Sequence, residues 1–318
     1  MKASIRRKYC LPNQINIENI ERVVPMDREV LIKVYATTVN RTDCAILTAH
    51  PFIMRFLLGF FKPRKVILGT DFAGEVILIG ENVKSYNIGD KVFGFIDTGS
   101  ESQAEYTLAK EGNLFSVPEK IGYKQAVASL EGAHYAYTFI HKVNIQSGQK
   151  ILIIGATGAI GSALLQFVKQ YDVKITATCN TKNIQLIESL GADKTYDYTK
   201  EDFTDDNDKY DFIFDTVGKS TFGKCKPLLK GKGIYISSEL GPFSQNIFFP
   251  LITSISNKKV IFPIPYSTQK TIPYISKLLE TEKFKPVIDR EYSLKDISKA
   301  YEYVLAGQKT GNVIIEVE

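Results

Sequence analysis

Lys150-Ile151-Leu152-Ile153-Ile154-Gly155-Ala156-Thr157-Gly158-Ala159-Ile160-Gly161-Ser162-Ala163-Leu164-Leu165-Gln166 is the stretch that decides the fold. Four consecutive apolar residues, three of them β-branched, suit a strand buried on both faces. Glycine then recurs at every third position. From Ala159 the composition turns helical, with Ile160, Leu164 and Phe167–Val168 spaced to cover one face. A strand, a glycine turn and a helix form the opening unit of a dinucleotide-binding fold. A Cβ in the turn would hold the backbone away from a pyrophosphate, and the free N–H groups of the helix N-terminus face the diphosphate charge. Gly155, Thr157, Gly158, Ala159, Ile160 and Gly161 are therefore candidate cofactor contacts. The spacing is G-x-x-G-x-x-G rather than G-x-G-x-x-G, and the alternative is an ordinary βα turn with glycines for packing.

Downstream, strands alternate with helices. Apolar runs at 173–178, 194–198, 210–215, 233–237 and 259–262 give five more strands, and a helix over 182–190 stops at Gly191. Six strands with short helices between them match a doubly wound parallel sheet. Upstream, residues 1–120 are β-rich, with glycines at the corners of a small irregular barrel. A helical stretch covers 124–143, amphipathic helices cover 272–279 and 294–305, and the closing strand, 312–317, is expected to return to the first domain. The fold class is α/β, with a β-rich domain from 1–120 and 264–318 and a dinucleotide-binding domain from 121–263.

A chain of 318 residues exceeds the size at which one core keeps growing, which fits two domains. Hydrophobic residues at 44% and charged residues at 24% are ordinary for a globular protein. The net charge of +5 comes without a basic run, so no nucleic-acid partner is expected. Cys10, Cys44, Cys179 and Cys225 lie far apart, which argues against a structural zinc lobe and a disulfide framework. No apolar h-region follows the N-terminus. The most apolar segment, Pro51–Phe61, is too short to span a bilayer. A cytoplasmic protein without a membrane partner is expected.

Four stretches carry a family likeness: Thr38-Val39-Asn40-Arg41-Thr42-Asp43, Gly69-Thr70-Asp71-Phe72-Ala73-Gly74-Glu75-Val76, Gly89-Asp90-Lys91-Val92-Phe93-Gly94, and the glycine turn with Gln166 on its helix. Ser189-Leu190-Gly191-Ala192-Asp193, Asp197-Tyr198, Phe214-Asp215-Thr216-Val217-Gly218 and Gly307-Gln308-Lys309-Thr310-Gly311-Asn312 extend it to the C-terminus. In order and spacing the chain resembles the medium-chain dehydrogenase/reductase superfamily, in its zinc-independent quinone oxidoreductase (zeta-crystallin-like) branch. The resemblance implies a GroES-like catalytic domain built from both chain ends, a Rossmann domain between them, and NAD(P)H in the cleft. It also implies a homodimer formed edge to edge through the last Rossmann strand, here Val260–Phe262.

Zinc-dependent members of that superfamily hold the metal with Cys, His and Cys; the matching positions here are Asn40, Thr70 and Glu131. An amide, a hydroxyl and one carboxylate make a poor zinc cage, so no metal is expected. Without a Lewis acid, hydride transfer is easiest to a conjugated acceptor, where charge delocalises and a hydrogen-bond donor suffices. Ala45 stands where related quinone oxidoreductases carry a tyrosine, so that role does not transfer. The catalytic candidates are Asn40, Thr42, Asp43, Glu131 and His134. Each also has a plain reading: a loop cap, an ion pair or helix packing.

After the second Rossmann strand come Asn180, Thr181 and Lys182, with no acid there to repel a 2′-phosphate. By resemblance, Lys182 and Tyr198 contact that phosphate, which favours NADP(H). Val217, Gly218, Ser237, Ser238 and Asn312 complete the candidate cofactor set. The expected activity is NADPH-dependent, zinc-independent hydride transfer to a quinone or an α,β-unsaturated carbonyl, with an apolar small-molecule substrate. The alternatives are an NAD(P)-dependent alcohol dehydrogenase and a non-enzymatic NADPH-binding sensor or structural protein. The apolar loop 50–61 fits a substrate mouth and a dimer contact equally.

Overall fold

The computed structural model describes residues 1–317. They form two compact units, one from residues 1–131, 268–280 and 286 onward, the other from residues 132–267 and 281–285. The first begins with β1 (Lys2–Ile5), β2 (Asn16–Asn19), β3 (Glu29–Val39), α1 (Arg41–Thr48), α2 (Met54–Leu58) and β4 (Asp71–Ile79). It continues through β5 (Lys91–Phe95), β6 (Tyr106–Lys110), β7 (Phe115–Ser116) and α3 (Tyr123–Ala128). Next come α4 (Glu131–His141), β8 (Lys150–Ile154), α5 (Ala159–Val168), β9 (Lys174–Cys179), α6 (Ile184–Ser189) and β10 (Lys194–Asp197). Then follow β11 (Tyr210–Asp215), α7 (Phe222–Cys225), β12 (Leu229–Ser237), α8 (Gln245–Ile252) and β13 (Lys259–Ile261). The chain closes with α9 (Thr268–Glu280), β14 (Ile288–Ser293), α10 (Ile297–Leu305) and β15 (Asn312–Glu316).

In the first unit seven strands make one sheet in the order β14-β15-β3-β4-β5-β7, with β6 also pairing to β3. The closing strand does return there: β15 runs antiparallel to β3, Val313 opposite Val39 and Glu316 opposite Ala36. The long strand β3 is the spine, because Val30, Leu31, Ile32 and Val34 are buried and offer apolar surface along its length. The core they enter also takes Ala300, Tyr301 and Val304 from α10, an amphipathic helix that covers the sheet.

The second unit holds the parallel sheet, in the order β10-β9-β8-β11-β12-β13. Numbered from β8, that order is three-two-one-four-five-six, the doubly wound arrangement of dinucleotide-binding folds. The switch point lies between β8 and β11, so the loops after Ile154 and Asp215 open at the same end of the sheet.

The structure departs from the sequence reading in three places. The helix expected over 124–143 is two helices. The Ser129 N–H bonds back to the Gln125 and Ala126 carbonyls at 3.1 and 3.2 Å, its hydroxyl bonds to the Ala126 carbonyl at 2.7 Å, and this tight closure ends α3. The crossing between units accordingly falls at the start of α4, not at 120–121, because α3 packs on β3 and β4. Residues 281–285 join the second unit although their neighbours belong to the first. The Gln166 amide clamps Lys285 in both directions, donating to its carbonyl at 3.1 Å and accepting from its N–H at 2.9 Å. Phe284 packs edge-on against Phe167 with ring centroids 5.1 Å apart. Among the described residues no helix is long and apolar enough to cross a membrane.

Candidate active site and nucleotide site

In the first unit the catalytic candidates gather around the start of α1. Asn40 caps that helix: its Oδ1 accepts the Asp43 N–H at 2.8 Å, and Asp43 Oδ2 accepts the Asn40 N–H at 3.0 Å. This is a reciprocal capping box, so both side chains are occupied in building the helix end. The Asn40 Nδ2 donates to Thr70 Oγ1 at 2.9 Å. At the start of β4, Asp71 accepts the Thr38 N–H at 2.8 Å and the Thr38 hydroxyl at 2.6 Å. These bonds lock the end of β3 to β4 and fix the start of α1, which carries Thr42.

Thr42 reaches from α1 to α4, where its hydroxyl donates to Glu131 Oε1 at 3.2 Å. Glu131 is 6% exposed, and burial pushes its carboxyl up to about 7. The Lys309 ammonium opposes that push, Asp71 and Asp97 add to it, and the Thr42 hydrogen bond opposes it. Burial likewise raises Asp71 to about 6, outweighing its hydrogen bonds from Thr38, Thr37 and Asn40. Asp43 is also pushed well above the usual carboxylate range, by burial first and then by Asp71. Three acids in one dry place cannot all ionise cheaply, so the cluster stores protons near neutral pH.

Lys309 completes this cluster and was not among the sequence candidates. Its ammonium donates to the Gly311 carbonyl at 2.6 Å, and burial lowers its pKa against the pull of Glu131. The one sequence signal was a lone cation inside Gly307–Asn312. Asp71 was missed as well, although an acid at a strand start facing threonines was visible. His134 lies one turn beyond Glu131 on α4, is 2% exposed and packs edge-on against the Tyr135 ring. It is assigned to the second unit.

The expected zinc positions can be checked by their chemistry. Asn40 and Thr70 hydrogen-bond to one another and Glu131 is turned to Thr42, so the three offer an amide, a hydroxyl and one carboxyl rather than thiolates and imidazole. These residues do not fit a zinc ion.

In the second unit the glycine turn is shaped as its sequence requires. Gly155 has φ +80°, and a Cβ there would lie 2.5 Å from the Val217 side chain. A Cβ on Gly161 would sit 2.2 Å from the Gly155 carbonyl oxygen. Gly158 is different. It is the N-cap of α5, has φ −69°, and its Cβ would meet nothing closer than 3.7 Å. The second glycine is thus not demanded by the packing around it; it serves as the N-cap of α5 and leaves its Cβ side open. Thr157 and the N-cap Gly158 lead into Ala159 and Ile160, the first residues of α5, and a helix N-terminus of this kind suits an anion. Across the switch point, Asp215 accepts the Val217 and Gly218 N–H groups at 3.2 and 2.8 Å and so shapes the facing loop. At the end of β12, Ser237 is buried, and the Ser238 hydroxyl has no hydrogen-bond partner although its oxygen is buried. These features fit a dinucleotide.

At the end of β9 the candidates separate. The Asn180 Oδ1 accepts from Asn183 at 2.7 Å. Lys182 is exposed, and Tyr198 is 55% exposed. The Thr181 hydroxyl donates to Asp197 instead, so its single proton is not available to a phosphate. Asp197, opposite Cys179 on β10, also accepts from the Thr199 hydroxyl and pairs with Lys200 at 3.4 Å. Those bonds pull its carboxyl down to about 2. Asn312 belongs to the first unit, where it opens β15 with its amide on the Val287 carbonyl at 3.0 Å.

With this geometry in place, the likeness to known proteins can be read. A family model described as the alcohol dehydrogenase GroES-like domain matches residues 26–146, and one described as zinc-binding dehydrogenase matches residues 190–315. A 2-methylene-furan-3-one reductase of Solanum lycopersicum is 32% identical over 302 residues, covering 90% of this chain and 71% of the relative. A chloroplastic quinone-oxidoreductase homolog of Spinacia oleracea is 30% identical over 317 residues, covering 94% of each. The structure of the quinone oxidoreductase from Coxiella burnetii superposes with a TM-score of 0.89 over 100% of this chain and 99% of that one, at 24% identity. The chain belongs to the medium-chain dehydrogenase/reductase superfamily, in its quinone oxidoreductase branch.

Proposed function

We propose that this protein is an NADPH-dependent, zinc-independent reductase of quinones and α,β-unsaturated carbonyls. The observation that carries the reading is the Glu131 carboxyl, held up to about 7 by burial and bound to Thr42 in the place where zinc enzymes hold their metal. When bound, the nicotinamide supplies the hydride. The protein must then hand one proton to the oxygen or carbon that becomes basic. A carboxyl that keeps its proton near neutral pH is matched to that task. The Thr42 hydroxyl orients it, and water returns the proton between turnovers. Conjugated acceptors suit this machinery because their charge spreads before protonation, so no Lewis acid is needed. The two plant relatives are named for a conjugated enone and for quinones, which supports the same substrate class. The test is oxidation of NADPH against a panel of quinones, enals, enones and simple aldehydes. Turnover on the conjugated acceptors alone is the expected result, and zinc-stimulated oxidation of alcohols would overturn it.

The cofactor preference is supported by the exposed Lys182 and by the Asn180 amide at the end of β9, groups of the kind that attract a 2′-phosphate. A specific observation favours NADH instead, since Asp197 brings a carboxylate to the neighbouring strand end. That charge is already answered by two threonines and Lys200. Lys182→Ala is expected to lower kcat/KM for NADPH about tenfold and to leave NADH unchanged. Equal kcat/KM for the two nucleotides in the unaltered enzyme would defeat the preference.

We also propose a homodimer through the β13 edge. The strand closes the sheet with its outer side unpaired among the described residues, and beside it Phe248, Leu251, Ile252 and Ile255 are exposed. An apolar patch at an open edge is a pairing surface. Leu251→Asp with Ile255→Asp should halve the mass seen by light scattering, and an unchanged mass would exclude this seam.

A further inference from the structure

We propose that the segment from Pro51 to Lys65 docks the protein on the surface of an anionic lipid bilayer. The sequence between Asp43 and Asp71 contains no acidic residue, while Arg55, Lys62, Arg64 and Lys65 are cationic. On the folded chain α2 and the turn after it bury only Leu58 and Gly59 among 51–62, and the apolar side chains face outward. Phe52, Ile53, Phe56 and Leu57 are 58–64% exposed, and Phe61 is 89% exposed. Side chains of this size are rarely clustered on the outside without a surface to cover them.

The cluster is ordered before it meets anything. The rings of Phe52, Phe56 and Phe60 pack edge to face, with centroids 5.6–6.4 Å apart. The Tyr9 hydroxyl donates to the Gly59 carbonyl, and the Arg55 guanidinium lies 4.9 Å from the Tyr9 ring centroid. Gly59 has φ +121°, and a Cβ there would strike the Lys62 carbonyl at 2.1 Å, so the turn is tight. A preformed tip loses little conformational entropy when it inserts.

Charge decides the occupant. Lys8, Lys62 and Arg64 are exposed and make no ion pair among the described residues, whereas Lys65 bonds to the Gly99 carbonyl and lies 3.6 Å from Glu101. A second copy meeting this patch with the same segment would bring a second set of the same cations, with no acid in the segment to answer them. A bilayer with anionic headgroups offers an apolar phase to the rings and phosphates to the cations together. The sequence rules out a spanning segment here and leaves a membrane partner unexpected; a surface-lying tip needs only a short apolar face with a basic rim. The proposal does not depend on the reductase reading, because it is tested without turnover.

Full-length protein is sedimented with extruded vesicles of phosphatidylcholine, and of phosphatidylcholine with phosphatidylglycerol at about one lipid in three. Binding to the anionic vesicles is expected, weakening as salt rises, with little on the neutral ones. Phe56→Ser with Phe61→Ser should reduce partitioning at least about tenfold. Lys62→Ala with Arg64→Ala should reduce it by about fivefold per cation. These side chains are exposed, so the unfolding temperature serves as the folding control and stays unchanged. Wild-type protein left in the supernatant, or variants that sediment like wild type, would overturn the proposal. So would a change of solution mass in the phenylalanine variant, which would show a second copy covering the patch.

Discussion

Glu131→Gln is expected to lower kcat by about 10²- to 10⁴-fold, the usual worth of a placed general acid, while the dissociation constant for NADPH stays as it was. Glutamine keeps the shape and still accepts the Thr42 hydroxyl, so the substitution removes the proton and little else. The wild-type rate should fall as pH rises through about 7, where the carboxyl ionises, and the variant should lose that limb. Stability carries the same signature. The folded carboxyl titrates above its ordinary 4.5, so between that pH and about 7 the folded state holds a proton that the unfolded state has released. Stability therefore falls as pH rises across this window. Asp71, raised from 3.8 to about 6, adds in the same direction at lower pH. Thermal unfolding of the variant should show a shallower pH slope. Unchanged turnover would remove Glu131 from the chemistry and leave it a buried structural acid.

The glycine turn offers the second large effect, because its glycines answer to different constraints. Gly155→Val forces a β-branched residue to φ +80° and drives its Cβ into Val217. Backbone strain and overpacking of roughly 1–3 kcal/mol each should drop the melting temperature by about 5–20 °C. Nucleotide binding should be lost with it. Gly158→Ala separates the two causes. Its backbone is ordinary and its methyl meets only a carbonyl at 3.7 Å, so the melting temperature should fall by no more than the few degrees that replacing a glycine N-cap by alanine costs. The methyl occupies the space where the backbone approaches a pyrophosphate, and the dissociation constant for NADPH should rise about tenfold or more. Fluorescence titration of NADPH reads it. Normal affinity in a normally folded Gly158→Ala protein would mean that the glycine serves no phosphate.

The two sets of candidates differed in how legible they were. The glycine turn was readable because it is local: Gly155, Gly158 and Gly161 lie within seven residues, and at Gly155 and Gly161 an added Cβ would clash. The order of the parallel sheet followed for the same reason, since short βα repeats leave little topological choice. The candidate catalytic cluster was only half legible. Asn40 was picked by its place in the family pattern, with a loop cap as the plain alternative for it and for Asp43, and the two form the halves of a helix cap. Glu131 was picked by its place in the family pattern, yet nothing local announces that its carboxyl keeps a proton. That follows from burial among segments distant in sequence, which outweighs the opposing pull of Lys309 and of the Thr42 hydrogen bond.

By itself the sequence determined the doubly wound sheet, the glycine elbow and the family, because each is encoded in residues that are neighbours along the chain. Tertiary structure alone decided which acids are protonated, which hydroxyls are already spent, as at Thr181, and which apolar residues remain outside, as on α2. Burial and electrostatic coupling are properties of surroundings assembled from separate segments, and no local pattern carries them.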